Sequence, residues 1–567
     1  MDGDVSPPPP AATAARPAGR PPGTPGAGAE SGALGRSSLI NLAGFAVFGL
    51  CNFLLIVVVT RHLGARGAGV LLTAMAVFNI TARSAMAGTD LALVRFISRF
   101  RARGRHSEVR TLYRIALGPV LVISGTAGLA VFLLAGPLGR LLADEGSAGD
   151  LTRYLQVLAP FIPVATAYQV VEGASRGFGT MVPGVVVERL ARSGALPVVM
   201  VAVLAAGGGV TAVALAWAGP FVVALVPMAL WSTALLRRTE RHAVDRLDRG
   251  TPEPAAEATA EAELAQLTAD RAGGPGGPPD PGGGDGAAPG PLPVAALRRR
   301  FWGFALPRSL AGVFVLAITW VDALILGALE GSEAVGVYAA ATRWLIAGNI
   351  AGNAVTTAFG PQISAVLATE GPAGARRLFQ GATAWFVLLA WPAYFTAMAF
   401  APLLVRAFGP GFDDGAAVIA ITGTGFLLAA AAGPVDMLLL MAGRSRLSLL
   451  NTAMALAVNV GANLALIPPF GIRGAALAWA LSLVVANGLP LAQMVRLLGI
   501  QPLGPRTVRA LVVAAAAGAG LGAARLTLGA TLPGLVAGLA LGGAALAVGV
   551  WSSPDRMGVS DILRRTP

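Results

Sequence analysis

From Leu39 onward the chain is a succession of apolar runs of about 20 residues or more, divided by short polar segments. Each run is long enough to cross roughly 30 Å of hydrocarbon as a helix. No water bonds the backbone there, so only helices and closed barrels span it, and these runs lack the alternation of barrel strands. The pattern predicts helical spans over about 37–61, 67–89, 112–135, 152–177, 181–206 and 211–236, then 303–329, 334–367, 379–400, 416–441, 447–468, 472–497, 507–528 and 531–551. That is a polytopic all-α membrane protein of about fourteen spans, six before a break and eight after it. Composition agrees. Only 13% of residues are charged, about half of what a water-facing surface requires, and the mean hydropathy is +0.69.

Between the spans the chain divides into five parts. Residues 1–35, rich in Pro, Ala and Gly, cannot bury a core and read as a disordered tail, with no short apolar core and cleavage site of a signal peptide. A first lobe covers 36–236. Residues 237–300 are polar, contain GGPGGPPDPGGG and end in Arg298-Arg299-Arg300, which reads as a flexible cytosolic linker. A second lobe covers 301–500, and 501–567 hold the two appended spans and a short tail.

The net charge of +13 is a matter of topology rather than of nucleic-acid binding. There is no lysine, and the arginines cluster in alternate loops: Arg95 to Arg114, Arg237 to Arg249, the Arg298 triplet, Arg376 and Arg377, Arg444 and Arg446, then Arg496, Arg506 and Arg509. The intervening loops hold Asp144, Glu145 and Asp150, then Glu330 and Glu333, then Asp413 and Asp414. By the positive-inside rule both termini are cytoplasmic, as an even number of spans also requires, in a bacterial inner membrane. The arginine runs hold topology and touch anionic headgroups; no nucleic acid is expected. The lone Cys51 excludes a disulfide framework, and His62, His106 and His242 are too scattered for a metal site.

An internal repeat organises the spans. GVTAVALAWA at 209–218 matches GIRGAALAWA at 471–480, 262 residues on, and Glu172 and Gly179 align with Asp436 and Gly443, 264 residues on. LGARGAGVL at 63–71 resembles LEGSEAVGVY at 329–338. Six spans per half is an even number, so the halves run the same way through the membrane, as pseudo-symmetric lobes about an axis along its normal. The last two spans have no counterpart.

At this point a family resemblance is visible. The run from Asn463 through Pro468-Pro469-Phe470-Gly471-Ile472-Arg473-Gly474 to Ser482 is similar to the signature of oligosaccharide (Wzx-type) flippases and polysaccharide exporters. Val321-Asp322, Gly336-Val337-Tyr338 and Leu63-Gly64-Ala65-Arg66-Gly67 add to it, over roughly 37–500. The superfamily also holds multidrug extruders and lipid II flippases. The resemblance implies a V-shaped pair of six-helix lobes that moves undecaprenyl-linked oligosaccharide outward by alternating access. The long Gly/Pro linker departs from the pattern, and the appended pair occurs in more than one branch.

No P-loop, nucleophile elbow or HExxH motif is present, so neither an enzyme nor a cofactor is expected. Ionisable groups inside spans are costly and therefore mark function. Arg83 and Arg343 are candidates for a pyrophosphate, which guanidinium binds with two parallel hydrogen bonds while staying charged. The bland reading pairs each with a nearby acid or headgroup. Glu172 and Asp436 are candidate coupling or gating groups, through Arg176 and Arg444, or else static helix-end ion pairs. Asp322, deep in the seventh span, suits a group that takes up and releases a proton, or a buried interhelical bond. Asn349 and Asn353 share one face of the eighth span, with Gln362 loosely on the same stripe, and suit sugar hydroxyls or helix contacts. Trp217 and Trp479 read as interfacial or packing residues.

The expectation is a flippase for lipid-linked oligosaccharide, with membrane lipids and polysaccharide polymerase or glycosyltransferases as partners. Three rivals stay open: a lipid II flippase, a cation-coupled multidrug exporter and a non-transporting envelope scaffold.

Overall fold

The computed structural model describes residues 27–102, 106–249, 293–345 and 369–552, together with part of 346–368. Among the described residues all regular structure is helical. The chain divides into a unit of residues 1–43 and a second unit of 44–567, and everything that follows concerns the second.

Among the described residues eleven helices are long and apolar enough to cross a membrane. Two of them are double. Val47–Arg101 bends at Gly64 (φ 69°, ψ −176°), and Val294–Arg343 bends at Gly331 (φ 84°, ψ −179°). That backbone region is open almost only to glycine, so each bend is written into the sequence. The stretch 181–206 is absent from the eleven because it forms as a π-helix, Gly184–Arg192, followed by an α-helix, Ser193–Ala205. With these three adjustments each expected span has a counterpart, the eighth, 334–367, only as far as Arg343 because 346–368 are described only in part.

The repeat is visible in backbone conformation. Gly179 and Gly443, paired by sequence, have φ of 77° and 78°, and the two bend glycines occupy equivalent places in their halves. Helix surfaces carry exposed apolar side chains, such as Val223 at 73% and Leu526 at 88%, as a lipid-facing surface requires. The linker's flanks are helical: one helix runs from Val210 to Arg249 and the next begins at Val294, while 250–292 lie outside the described residues.

The arginine-bearing loops gather at one end. Arg95 stacks over Phe304 at 4.4 Å, and Arg101 lies 5.9 Å from the Phe178 ring. The acidic loops gather at the other. There the two halves meet backbone to backbone. A Cβ on Gly69 would collide with the Ser332 carbonyl, and one on Gly336 would collide with the Ala65 carbonyl. Each half thus supplies the glycine that admits the other's chain. Asp144, from the loop after the third span, accepts a hydrogen bond from the Ser332 N–H at 3.1 Å and from Ser147 Oγ at 3.2 Å.

The appended helices, Pro505–Leu528 and Leu532–Trp551, pair with each other and dock on Gly371–Ala399 of the ninth span. Small residues let them approach: Gly538 packs on Leu521 and Phe400, and Gly542 on the Ala517 carbonyl.

Gly69→Ala or Gly336→Ala is expected to cost about 1–3 kcal/mol through forced overpacking, whereas Gly125→Ala, whose Cβ meets open space, should be neutral or slightly stabilising. Thermal unfolding of the purified protein in detergent measures this; equal effects at the three sites would refute the close approach. For Asp144, burial pushes the carboxyl up, but the hydrogen bonds from Ser332 and Ser147 and the Arg66 charge pull it below its usual 3.8. Its contribution to stability is therefore complete above pH 3.8 and is lost as the pH falls through the depressed native value. The stability gap between wild type and Asp144→Asn should close on acidification over that range, and a gap indifferent to pH would sink the assignment.

Candidate functional site

The second span carries Asn79 and Arg83 on its face toward the other half. Across from it, the seventh span presents Trp320 and the eighth presents Arg343. These four side chains line a cavity of about 220 Å³, with Asn52 and Cys51 of the first span, Gln169 and Glu172 of the fourth, and Glu188 and Arg192 of the π-helix. The structure thus brings Arg83, Arg343 and Glu172 to one chamber, with one arginine from each half.

The charges here are of two kinds. Arg192 donates to Glu188 through Nε at 2.7 Å and again through Nη2, lies 4.4 Å over the Phe221 ring, and shares Glu188 with the Tyr168 hydroxyl at 2.7 Å. This is a satisfied group. Arg83 and Arg343 are not. Among the described residues neither guanidinium has an ion pair or hydrogen bond, and Arg343 Nε is buried with no partner. Glu172 lies within the field of Arg176, Arg83 and Arg189 and of Glu188, with Gly184 packed against its carboxylate.

The sequence reading missed Glu188 and Arg192, although an acid and a base four residues apart inside an apolar stretch are the usual mark of an internal helix pair. It also missed the π-helix, a form that often marks functional sites. Trp217 is a packing residue, 4% exposed and edge-on to Phe78 at 5.0 Å, although it also reaches the cavity wall.

A second cavity, about 360 Å³, shares Asn79, Arg83 and Trp320 with the first. The first is small for a ligand site, which usually spans about 300–1,000 Å³, and the second lies at the low end of that range; through the shared residues they adjoin, and both take lining residues from the two halves.

Asp322 lies away from both cavities and is 3% exposed. Asn463 Nδ2 donates to its Oδ1 at 2.7 Å, and the Tyr338 hydroxyl to its Oδ2 at 3.0 Å. Asn459 reaches the same carboxyl and contacts Ser482 Oγ at 3.5 Å, while Asn463 Oδ1 is buried without a partner. Asp436 accepts from Ser448 Oγ at 2.6 Å and is not in an ion pair with Arg444 among the described residues. Asn349 and Asn353 lie outside the described residues, and Gln362 is exposed. Among the described residues there is no cluster of metal-ligating side chains.

Comparison with known proteins agrees with this architecture. The MatE family profile matches residues 43–192, about a quarter of the chain. No curated protein matches in sequence. Among solved structures, a lipid II flippase, MurJ, in an inward closed conformation superposes with a TM-score of 0.68 at 9% identity, over 91% of this chain and 99% of that one. An inward-facing multidrug resistance MATE family transporter of the MOP superfamily superposes at 0.55 and 15%, over 78% and 92%. At such identities the likeness is one of fold.

Asp322→Ala would leave the Tyr338 hydroxyl buried and unpaired, at a cost of about 1–3 kcal/mol, and would take from Asn463 Nδ2 its shortest bond while leaving its bond to the Asn459 carbonyl at 2.9 Å. Asp322→Asn keeps one acceptor and should lose less. Thermal unfolding orders the two variants; an alanine variant as stable as wild type would mean the network holds nothing.

Proposed function

We propose that this protein is a flippase that moves lipid-linked oligosaccharide across the bacterial cytoplasmic membrane, with its arginine-rich end in the cytoplasm. The observation that carries the reading is the pair of unpartnered guanidinium groups, Arg83 and Arg343, facing one cavity from opposite halves. An arginine cannot shed its charge, so an unpaired one at membrane depth awaits an anion. A pyrophosphate linking lipid to sugar is such an anion, and it meets guanidinium with two parallel hydrogen bonds. The polar side chains Asn52, Asn79 and Gln169 beside them suit sugar hydroxyls.

The fold supports a lipid-linked cargo. The likeness to the lipid II flippase structure extends over 91% of this chain, more than the twelve spans of the repeat alone would fill, so it takes in the appended helices. For that reason lipid II itself is the second reading. A carrier of cationic drugs is disfavoured, because two guanidinium groups without an ion pair, Arg83 and Arg343, face the cavity against one such carboxylate, Glu172.

Alternation between the two faces would need the cavity to widen, since its present volume is too small for an oligosaccharide. Asp322 is the proposed coupling group. Its carboxyl ties the seventh span to the eighth and eleventh, so a change in its protonation or ion occupancy would alter that tie. Glu172 and Asp436, with Arg176 near the first, are proposed gating groups of the two halves. The linker at 237–300 is proposed to meet the polymerase or glycosyltransferases.

In inverted vesicles loaded with lipid-linked glycan, lectin accessibility should show translocation by wild type. Arg83→Ala with Arg343→Ala should slow it at least tenfold, the loss expected from about 1.5–3 kcal/mol per charged hydrogen bond. Lysine at both positions should recover part of the rate. Equal translocation by wild type and a folded double-alanine variant would remove the reading.

A further inference from the structure

The fifth span departs from the α-helix where it borders the chamber. Gly184–Arg192 is a π-helix of nine residues, followed by the α-helix Ser193–Ala205. At its start the Val185 N–H still bonds the Met181 carbonyl, four residues back, at 3.0 Å. At its end the Ser193 N–H reaches the carbonyls of Glu188 and Leu190, five and three residues back, on either side of the α-helical partner. The segment therefore holds one residue more than an α-helical ladder between the same ends would use. Such turns are rare, mostly single, and frequent at functional sites.

The surplus residue is confined. Pro183 precedes the segment and Pro197 follows it. Proline has no N–H to carry the ladder on, and its ring crowds the carbonyl four residues back. Between the two prolines lie the residues with which this span faces the chamber: Glu188, Arg192, Ser193 and Leu196. Side chains hold the present register. The Tyr168 hydroxyl donates to Glu188 Oε2 at 2.7 Å, Arg192 Nε donates to the same oxygen at 2.7 Å, and Ser193 Oγ donates to the Glu188 carbonyl at 2.9 Å. Arg192 also lies over the Phe221 ring, and Gly184 admits the Glu172 carboxylate, 3.1 Å from where a Cβ would stand. Of the groups bonded to Glu188, Tyr168 comes from a different span, which makes it the latch.

We propose that residues 184–196 are a sliding register that gives the chamber wall two settings. When the surplus residue moves along the helix, each residue it passes turns by about 100° and shifts by about 1.5 Å, one residue's share of an α-helix. A slide past Glu188 and Arg192 breaks the Tyr168 bond and takes Arg192 off the Phe221 ring. The flanks keep their places, because the surplus stays between the prolines. The use of the second setting to accommodate cargo rests on the flippase reading, but the register change itself stands on the helix.

Hydrogen exchange of the protein in nanodiscs separates the two. Wild type is compared with Tyr168→Phe and with a variant lacking Val186, whose deletion removes the surplus residue and leaves both flanks in register; thermal unfolding checks that each is folded. In wild type, peptides covering 184–196 should exchange about tenfold faster than those of the neighbouring sixth span, because a wall that changes register opens its ladder. Tyr168→Phe should speed this roughly fivefold further, the worth of one hydrogen bond. Deletion of Val186 should slow it to the level of the sixth span and should slow translocation of lipid-linked glycan in inverted vesicles. Wild-type protection equal to that of the sixth span, or exchange untouched by Tyr168→Phe, overturns the sliding register even where the deletion variant does not fold. A folded deletion variant that exchanges like wild type overturns it too, and one that exchanges slowly yet translocates like wild type overturns its use for cargo. If exchange behaves as expected but wild type translocates no glycan, the flippase reading falls and the register change remains.

Discussion

A peptide group in hydrocarbon has no water to bond, so this chain satisfies its backbone within helices and then has to bring those helices together. Between apolar helices in lipid there is little hydrophobic drive, and contact depends on close packing. The contact between Gly69 and Ser332 and its counterpart between Gly336 and Ala65 are where that requirement is met most tightly. The bends at Gly64 and Gly331 aim the helices at this meeting point, and the largest core cluster, from Leu71 and Ala65 to Val335 and Tyr338, is built around it. The acidic end is closed by backbone, so the space between the halves lies on its other side.

Much of this was legible in sequence because it is local or periodic. Runs of apolar residues announce spans, and the match of 63–71 with 329–338 already contained both bend glycines and both contact glycines. What escaped depends on tertiary proximity. Nothing in Asp144 says that it will accept from Ser332, nearly two hundred residues away. Gly88 looks like a loop glycine until Ala305 is found against it. The stretch 184–192 reads in sequence as part of an ordinary span, and its π-helical form and the Glu188–Arg192 pair come with packing against Glu172 and Tyr168 that no local pattern announces. The stripe of Asn349 and Asn353 falls outside the described residues.

The residues that carried the family resemblance converge in space. Asp322, Tyr338, Asn463 and Ser482 are separate pieces of pattern on four spans, and with Asn459, which reaches Ser482, they form one buried hydrogen-bonded cluster. A cluster so costly to bury is retained only where its members satisfy one another, which explains why the pattern appears as a set. The same logic sorts the arginines. Arg192 is satisfied by Glu188 and Phe221 and needs no ligand to account for it. Arg83, Arg308 and Arg343 have no such account within the described residues.

That contrast bears on how such a carrier would turn over. A guanidinium in a medium of low dielectric keeps its charge and therefore keeps its desolvation cost until an anion arrives. With Arg83 on one half and Arg343 on the other, that cost is greatest when the halves approach and the cavity shrinks, because like charges are then brought together. An anion between them reverses the sign of the interaction. A ligand shifts a conformational equilibrium only by its differential affinity for the two states, and a pyrophosphate that bridges both guanidinium groups has that difference built in. On the proposed reading, the arginines would resist closure when empty and, when loaded, would draw the halves together around the head of the lipid. Under the flippase reading the unpaired charges are thus both the recognition element and the reason that closure waits for cargo.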